Sequence, residues 1–415
     1  MASIARKNLL EDKLRFLVAQ AGIMFAVSLV TIQIGILNGF TRSTALLIDQ
    51  SQADIWVTSQ TMVQLELTEA LILRQMTQAK KVEGVAIAEA VMMGGTRWNT
   101  ATGELTPLRV FGFDPGGKLF VPGKVGKEDI VALQKPNTAI VDETNLSALN
   151  IPGKGAKATI GSLPTTIVGL TSDTQSLVSS ASAFTSLENA NLYLNAGFTS
   201  QLDCQVKAGD VQCQTIYDKS EEKDDSSPED KPRKLNLNDP IAFILIKAKP
   251  RQNLEQLKGR LEEKLPGINA YTRQEMADKT RSYWVQRTGL GFVFGLGAVV
   301  GIIVGVAVVG QILYTSVSEH LKEFATMKAM GASNWGLYRV IIEQALWMAI
   351  LGYLPGMLLC LGLARWTMVT QGILILITPW TAAGVLGITV FMCVGSALFA
   401  VQKVTSIDPA IVFKA

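Results

Sequence analysis

The sequence predicts an α-helical membrane protein with four transmembrane helices and one large α+β domain. Four apolar stretches predict the helices, because each has the roughly 20 apolar residues that a helix needs to cross a hydrocarbon core. Hydrophobic residues make up 48% of the 415 residues and charged residues only 18%, which is more apolar than a soluble domain usually is. The stretches are split one plus three around the large domain. The predicted spans are residues 16–40, 289–314, 338–363 and 380–401.

Basic residues predict the orientation of these spans. They lie before span one, between spans two and three, and after span four, whereas the connection between spans three and four carries only Arg365. Because basic loops stay cytoplasmic, we expect both termini in the cytoplasm and the large domain outside. The net charge of +3 is too small to indicate nucleic-acid binding. The orienting residues are Arg6, Lys7, Lys13, Arg15, Lys322, Lys328, Arg339, Lys403 and Lys414.

Residues 1–15 are predicted to form a cytoplasmic amphipathic helix that leads into span one. Leucine and isoleucine side chains alternate there with basic and amide groups, as in a helix at the membrane interface. The alternative is a frayed basic tail that only sets the topology. Span one is longer than the apolar core of a cleaved signal peptide, and no clear A-x-A site follows it, so we interpret it as a signal anchor. Residues 402–415 are predicted to be a cytoplasmic tail.

Composition divides the external domain, residues 41–284, into two parts. Residues 41–113 and 240–284 have the pattern of an α/β unit, since β-rich runs alternate with helical spacing between Pro and Gly punctuation. Residues 114–239 are rich in Gly, Pro, Thr and Val, which predicts a β-rich subdomain of short strands. The clearest predicted elements are a helix at Leu254–Leu265 and strands at Ala139–Val141, Ala156–Ile160, Thr166–Val168, Ile241–Lys247 and Ile268–Thr272.

A polar segment interrupts the second part of this domain. Residues 218–234 contain no apolar side chain, so they cannot offset their ordering entropy and are predicted to be a mobile loop. Cys204 and Cys213 lie just before it, where an oxidising compartment permits a disulfide but does not require one. The only histidine, His320, lies on the other side of the predicted membrane, so no zinc or other metal site is expected.

Several catalytic patterns are absent from the sequence. No G-x-x-x-x-G-K-[ST] motif occurs, so the chain is not expected to bind or hydrolyse ATP itself. A Ser-His-Asp or Cys-His arrangement is excluded outside the membrane because no external histidine exists. Glu343 is the one acidic residue inside a predicted span, and we expect it to snorkel or to pair with Arg339 rather than to relay protons. The sequence therefore favours a non-catalytic membrane subunit.

The segment 315–334, between spans two and three, is predicted to form a short cytoplasmic helix. Gly331 is a natural residue to follow its end, and Ser333 could cap the next helix. A helix this short is not stable alone, so it must dock onto a partner, onto its own bundle or onto the bilayer surface. One face would be apolar and the other polar. The apolar face comprises Val317, Leu321 and Phe324, and the polar face Glu319, Lys322, Glu323 and Thr326.

The segment between spans two and three resembles a known protein family. The stretch Ser316–Ser333 reads S-V-x-E-x-x-x-E-x-x-x-M-K-A-x-G-A-S, which resembles the segment after the second span in permeases of the MacB/FtsX superfamily, the type VII ABC transporters. Residues 5–23 resemble the basic N-terminal helix of that family. Residues 138–151 (TAIVDETNLSALNI) resemble an element of its periplasmic β subdomain, and Ser406–Ala410 its C-terminal motif. Residues 17–57 look most like DevC-type permeases of DevBCA exporters.

The resemblance implies a homodimer in the lipid bilayer of the bacterial inner membrane, with its large domain in the periplasm. Each copy would dock a DevA-like ABC ATPase, which uses ATP and Mg²⁺, whereas the permease itself binds no cofactor. A DevB-like membrane-fusion protein and a TolC-like outer-membrane protein would complete a tripartite exporter of glycolipid or another amphiphile. The resemblance assigns contact with the ATPase to Glu319, His320, Lys322, Glu323, Met327, Lys328 and Gly331.

Span two carries glycines at helical spacing. Small residues four apart let helix backbones approach closely in lipid. We interpret these glycines as the homodimer interface, while packing against another helix of the same chain is the alternative. The residues are Gly297, Gly301 and Gly305, with a second pair at Gly291 and Gly295.

Three other functions stay open at this point. One is a lipoprotein-release permease of the same superfamily. Another is an FtsX-like signalling protein, which transports nothing and activates a periplasmic hydrolase. The third is a membrane-anchored receptor that has no ATPase partner.

Overall fold

The structure is a computed structural model. It describes residues 13–100, 105–176, 179–195, 201–207, 210–216, 232–319, 326, 334–371 and 374–405. The chain divides into two compact units, which are described separately below. The membrane unit comprises Met1–Phe40 and Val285–Ala415, and the extramembrane unit comprises Thr41–Trp284.

The helices and strands are numbered in chain order. The helices are α1 (Lys13–Thr44), α2 (Leu46–Gln50), α3 (Leu73–Ala79), α4 (Lys127–Ala132), α5 (Leu187–Asn195), α6 (Leu254–Lys264), α7 (Arg273–Thr288), α8 (Leu290–Glu319), α9 (Asn334–Gln371) and α10 (Pro379–Thr405), with a 3-10 turn at Glu143–Asn145. The strands are β1 (Ile55–Ser59), β2 (Leu71–Ile72), β3 (Val85–Asn99), β4 (Leu105–Phe113), β5 (Lys124–Val125), β6 (Thr138–Asp142), β7 (Lys157–Ile160), β8 (Leu163–Ser172), β9 (Ala181–Ser186), β10 (Gln201–Lys207), β11 (Asp210–Ile216), β12 (Pro240–Ile241), β13 (Phe243–Ala248) and β14 (Ile268–Thr272).

Four described helices, α1, α8, α9 and α10, are long and apolar enough to cross a membrane. Each is longer than its predicted span, because polar residues at the ends continue the backbone hydrogen bonds outside the apolar segment. Helices α7 and α8 are separated only by Gly289, whose φ of 64° interrupts helical geometry.

The four long helices of the membrane unit share one apolar core. Small and branched side chains from every helix meet there, which is how helices pack without a hydrophobic driving force in lipid. Large apolar side chains point away from this core, where hydrocarbon is their natural solvent; Phe292 and Phe391 are 74% and 77% exposed. The core includes Ala19, Ile23, Val27, Val309, Leu313, Ile341, Ala345, Val385 and Met392.

The extramembrane unit is built on one ten-stranded mixed sheet. Its strand order is β14-β1-β13-β3-β4-β9-β6-β8-β5, with β7 pairing β3 and β8. Strands β3 and β4 join the two predicted parts: β3 pairs with β13 at Val91–Phe243 and with β7 at Trp98–Ile160. Strand β4 pairs with β9, where Phe111 lies opposite Phe184. The parts that composition separates therefore share a continuous sheet.

Side chains alternate between the two faces of this sheet. In β1, Ile55 and Val57 belong to one apolar cluster, while Trp56 belongs to another on the opposite face. Strand β13 repeats the pattern, as Ile244 joins the first cluster and Leu245 the second. A sheet buried on both faces explains why these strands read as continuous apolar runs.

The free edge of β14 is blocked by acidic side chains. The backbone N–H of Ala270 donates to Glu262 at 2.9 Å, and the N–H of Thr272 donates to Glu275 at 2.7 Å. Occupied edge donors cannot pair with another chain, which is a common protection of edge strands.

Candidate functional site

The predicted ATPase-contacting segment begins as a continuation of span two. Helix α8 runs without a break from Leu290 to Glu319, so residues 315–319 extend that helix and do not start a separate one. Helix α9 begins at Asn334. Glu319 is exposed at the end of α8. The other predicted contact residues lie outside the described residues: His320, Lys322, Glu323, Met327, Lys328 and Gly331.

Three of the span-two glycines pack against α1 of the same chain. A Cβ atom on Gly297 would lie 2.7 Å from Cδ of Gln33, and one on Gly301 would lie 3.0 Å from Cδ2 of Leu29. A Cβ on Gly305 would lie 3.0 Å from Cβ of Ala26. These distances leave no room for a side chain. The contacts favour the alternative for Gly297, Gly301 and Gly305, packing against a helix of the same chain, and a homodimer interface at these glycines stays a prediction.

The other pair of glycines, Gly291 and Gly295, has more open space around it. A Cβ atom on Gly295 would meet nothing within 4 Å, and one on Gly291 would meet only Val285, at 3.0 Å. The exposed side chains of Phe292 and Leu296 flank Gly295. This face of α8 is therefore open in the single chain, and it is the part of the predicted dimer surface that stays available.

Hydrogen bonds between helices hold the bundle together at polar side chains. The hydroxyl of Ser396 on α10 donates to the carbonyl oxygen of Val306 on α8 at 3.0 Å. The hydroxyl of Tyr353 on α9 donates to the carbonyl oxygen of Ala382 on α10 at 2.9 Å. Neutral side chains suffice for this packing.

Asp142 is the most fully bonded carboxylate of the β-rich part, and it lies within the residues 138–151 that resemble the family element. It is fully buried. One carboxylate oxygen accepts the backbone N–H and hydroxyl of Thr144, at 2.9 and 2.6 Å. The other accepts the N–H and hydroxyl of Thr174, at 3.0 and 2.6 Å. Asp142 thus joins the end of β6 to the loop that follows β8.

A second carboxylate fixes the chain after the polar segment. Arg233 donates two hydrogen bonds to Asp239, at 2.7 and 2.6 Å. The guanidinium holds the pKa of the Asp239 carboxyl below its usual range, and the backbone N–H of Asn236 lowers it further. Residues 218–231 of the predicted mobile loop lie outside the described residues. Its described end forms this ion pair at Arg233, and the mobility of the loop stays a prediction.

The two external cysteines are opposite each other in a hairpin. Strands β10 and β11 pair antiparallel, with Cys204 in register with Cys213 and Lys207 with Asp210 at the turn. The pair that closes a two-residue turn is hydrogen-bonded, and counting from it makes the cysteine pair a non-hydrogen-bonded one, with Cα atoms about 4.5 Å apart. That spacing is compatible with a disulfide, which stays a prediction.

No metal site is formed by the described residues, since no group of three or more His, Cys, Asp or Glu side chains could hold an ion there. The described part of the chain thus offers packing surfaces, interhelical hydrogen bonds and a braced β domain.

Comparison with protein families matches both parts of the chain. The model for the MacB-like periplasmic core domain matches residues 16–264, more than half of the chain. The model for the FtsX-like permease C-terminal domain matches residues 295–409. The chain belongs to the MacB/FtsX family of ABC permeases. It is accordingly a type VII ABC transporter membrane subunit with several spans and a periplasmic domain.

Solved structures similar to this permease include periplasmic domains. The periplasmic region of MacB from Actinobacillus actinomycetemcomitans shares 10% identity, with a TM-score of 0.33 over 55% of this chain and 92% of that one. The extracellular domain of the noncanonic ABC-type transporter YknZ from Gram-positive bacteria shares 9% identity, with a TM-score of 0.31 over 52% of this chain and 99% of that one. None of the curated proteins matches the chain.

The sequence reasoning missed two features of the permease. The role of Asp142 depends on Thr174, which is distant in sequence, so no local pattern signals it. Gly35 and Gly39 on α1 have the same four-residue spacing as the glycines of α8, and that spacing could have marked them as a second close contact.

Proposed function

We propose that this permease is the DevC-type membrane subunit of a tripartite ATP-driven exporter in the bacterial inner membrane. A separate DevA-like ATPase would bind the segment between α8 and α9 in the cytoplasm, where both termini also lie. The observation that carries the proposal is the continuity of that segment with a long membrane helix. Movement of its first residues is movement of α8, since Leu290–Glu319 is a single helix.

The chemistry of the spans supports transmission of movement over transport through the bundle. Glu343 is the one acidic residue in the four candidate spans, and the interhelical contacts described above are made by neutral groups. A pathway for protons or other ions would need several ionisable groups along the spans. An amphiphile such as a glycolipid could instead be handled at the periplasmic domain, with a DevB-like adaptor and a TolC-like duct.

A pull-down from native membranes tests the proposal. We expect the tagged permease to co-purify with an ABC ATPase and a periplasmic membrane-fusion protein. Recovery of an ATPase with a cell-wall hydrolase would instead support a signalling function, and recovery of an ATPase with lipoprotein substrates would support lipoprotein release. Recovery of the permease without any ATPase would refute the exporter.

The proposal includes a homodimer, whose contact on α8 we place at Gly295. Cysteine at Gly295 is expected to form a disulfide between two copies, because that position is open and small residues allow backbones to approach. Cysteine at Gly301 is the matched control, since α1 of the same chain covers that position. Intermolecular crosslinking at Gly301 but not at Gly295 would place the dimer contact elsewhere.

A further inference from the structure

Residues 374–378, which directly precede α10, lie on α1. We call residues 374–378 the strap; they have no regular secondary structure. The backbone N–H of Leu376 donates to the carbonyl oxygen of Gly35 at 2.9 Å. Ile375 is only 8% exposed. An extended apolar segment therefore covers the last turns of a membrane helix and bonds to its backbone.

Glycines on α1 make this approach possible. A Cβ atom on Gly35 would lie 2.6 Å from Cγ2 of Ile375, which belongs to a side chain that can rotate. A Cβ on Gly39 would overlap the carbonyl oxygen of Leu374, which belongs to the backbone. Because backbone cannot rotate out of the way, any side chain at Gly39 must displace the strap. Gly39 is therefore the residue on which the contact depends.

The strap is fixed to α10 as firmly as to α1. The hydroxyl of Thr378 accepts the backbone N–H of Thr381 at 3.1 Å, which caps the start of α10. The side chain of Asn38 on α1 donates to the hydroxyl of Thr381 at 3.1 Å. Tyr353 of α9 bonds the same turn of α10, as described above. Helices α1 and α9 thus both bond the first turn of α10, which directly follows the strap.

We propose that the strap is a permanent mechanical tie, which makes α1 move together with α9 and α10 at this end of the bundle. The alternative for such a contact is a latch that opens during the cycle. A latch would be held by side chains that can separate and be solvated again. The bond between the strap and α1 is instead a backbone hydrogen bond beside glycines, and its loss would leave a polar group unbonded at the membrane. The contacts between the strap and α1 support the tie by themselves, whereas its role in coupling ATP hydrolysis to movement rests on the proposed function.

Crosslinking in membranes tests the tie. Asn38→Cys and Thr381→Cys place two thiols where the native side chains are in contact. We expect an intramolecular disulfide, found by mass spectrometry of the linked peptides, whose yield is the same without nucleotide, with a non-hydrolysable ATP analogue and after vanadate trapping. A yield that falls severalfold in either nucleotide state would show that the strap opens.

Substitution of Gly39 is a second test of the tie. Gly39→Ala in the two-cysteine background is expected to lower the disulfide yield about fivefold or more, because the added Cβ displaces the strap. Gly387→Ala on α10 is the matched control, since its Cβ would meet nothing within 4 Å. Both variants are first checked for membrane insertion and amount. An unchanged yield in a well-inserted Gly39→Ala protein would overturn the tie.

A disulfide that locks this contact shows whether the contact must open during ATP hydrolysis. In the purified complex, the oxidised two-cysteine protein is expected to support ATP hydrolysis at the rate of its reduced form. Strong inhibition that a reducing agent reverses would mean that the contact must open, and the tie would be wrong. The Gly39→Ala arm needs no ATPase, so absence of a bound ATPase would refute the exporter while that arm still decides the tie.

Discussion

Replacing Asp142 by Asn is expected to destabilise the extramembrane unit by about 2–4 kcal/mol. An asparagine has one side-chain oxygen, which can accept hydrogen bonds from only one of the two threonines, Thr144 or Thr174. Its amide NH₂ group then faces the other threonine. The hydroxyl of that threonine can rotate and accept, but its backbone N–H cannot, so one donor is left facing another. A buried donor without an acceptor costs about 1–3 kcal/mol, and the loss of hydrogen bonds to a charged group adds to this.

Thermal unfolding of the full chain in detergent, followed by circular dichroism, measures the effect. For a unit of this size, we expect the midpoint to fall by roughly 4–16 °C. Asp173→Asn is the matched control. Asp173 forms an exposed ion pair with Lys124 at 2.7 Å, which is worth about 0–1 kcal/mol. Its φ of 62° also suits asparagine. Equal shifts in the two variants, or none for Asp142→Asn, would refute the reasoning.

Three further predictions concern other parts of the chain. Cys204 and Cys213 are expected to be bridged in protein from an oxidising compartment, and free thiols in non-reduced peptides by mass spectrometry would contradict this. Glu323→Lys is expected to leave insertion and dimerisation intact but to reduce ATPase recovery in the pull-down, because a mismatched charge in a docking surface lowers affinity several-fold or more. Recovery of one ATPase per permease with this variant would show that the face carrying Glu323 does not bind the ATPase. Because pairing with Arg233 lowers the pKa of Asp239 in the folded chain, its stabilising effect is present above the ordinary carboxyl pKa and is lost as pH falls through the lowered value. Asp239→Asn should therefore make the midpoint of unfolding less sensitive to acid below about pH 4, and an unchanged acid dependence would contradict the role of this pair.

The strand–helix–strand unit at the end of the extramembrane domain could be predicted from sequence because its signals are local. Strand β13, helix α6 and strand β14 lie where the apolar spacing predicts them, and Pro250 and the Pro266–Gly267 pair separate them. Here the proline and the Pro-Gly pair lie between elements, so these local signals mark the element ends. The short strands β6, β7 and β8 could be predicted for the same reason.

Strand β3 could not be predicted, because its glycines have a tertiary cause. Gly94 and Gly95 lie in the middle of this strand, and a glycine pair ordinarily signals a turn. A Cβ on Gly94 would lie 2.6 Å from Cδ2 of Leu194 on α5, so the strand needs glycine to accept that helix. Only a contact with a distant residue distinguishes this glycine from a turn, and that contact is absent from any local pattern.

The same limit applies to contacts between the membrane helices. Glycine spacing predicts that two backbones approach closely, but it does not say which two. In the structure the close glycine contacts converge on α1: Gly301 of α8 meets Leu29, and Gly356 of α9 meets Val27 at 3.1 Å. The strap meets α1 as well, at Gly39.

Helix α1 is also continuous from Lys13 to Thr44, a rod of about 48 Å. A rod held closely by three neighbours cannot slide past them without breaking packed backbone contacts, so it must move when they move. The segment between α8 and α9 would receive the force, because it continues one of those neighbours. Under the proposed function, this geometry would make α1, and not α8 alone, the element that carries the force to the end of the bundle where Gly39 meets the strap.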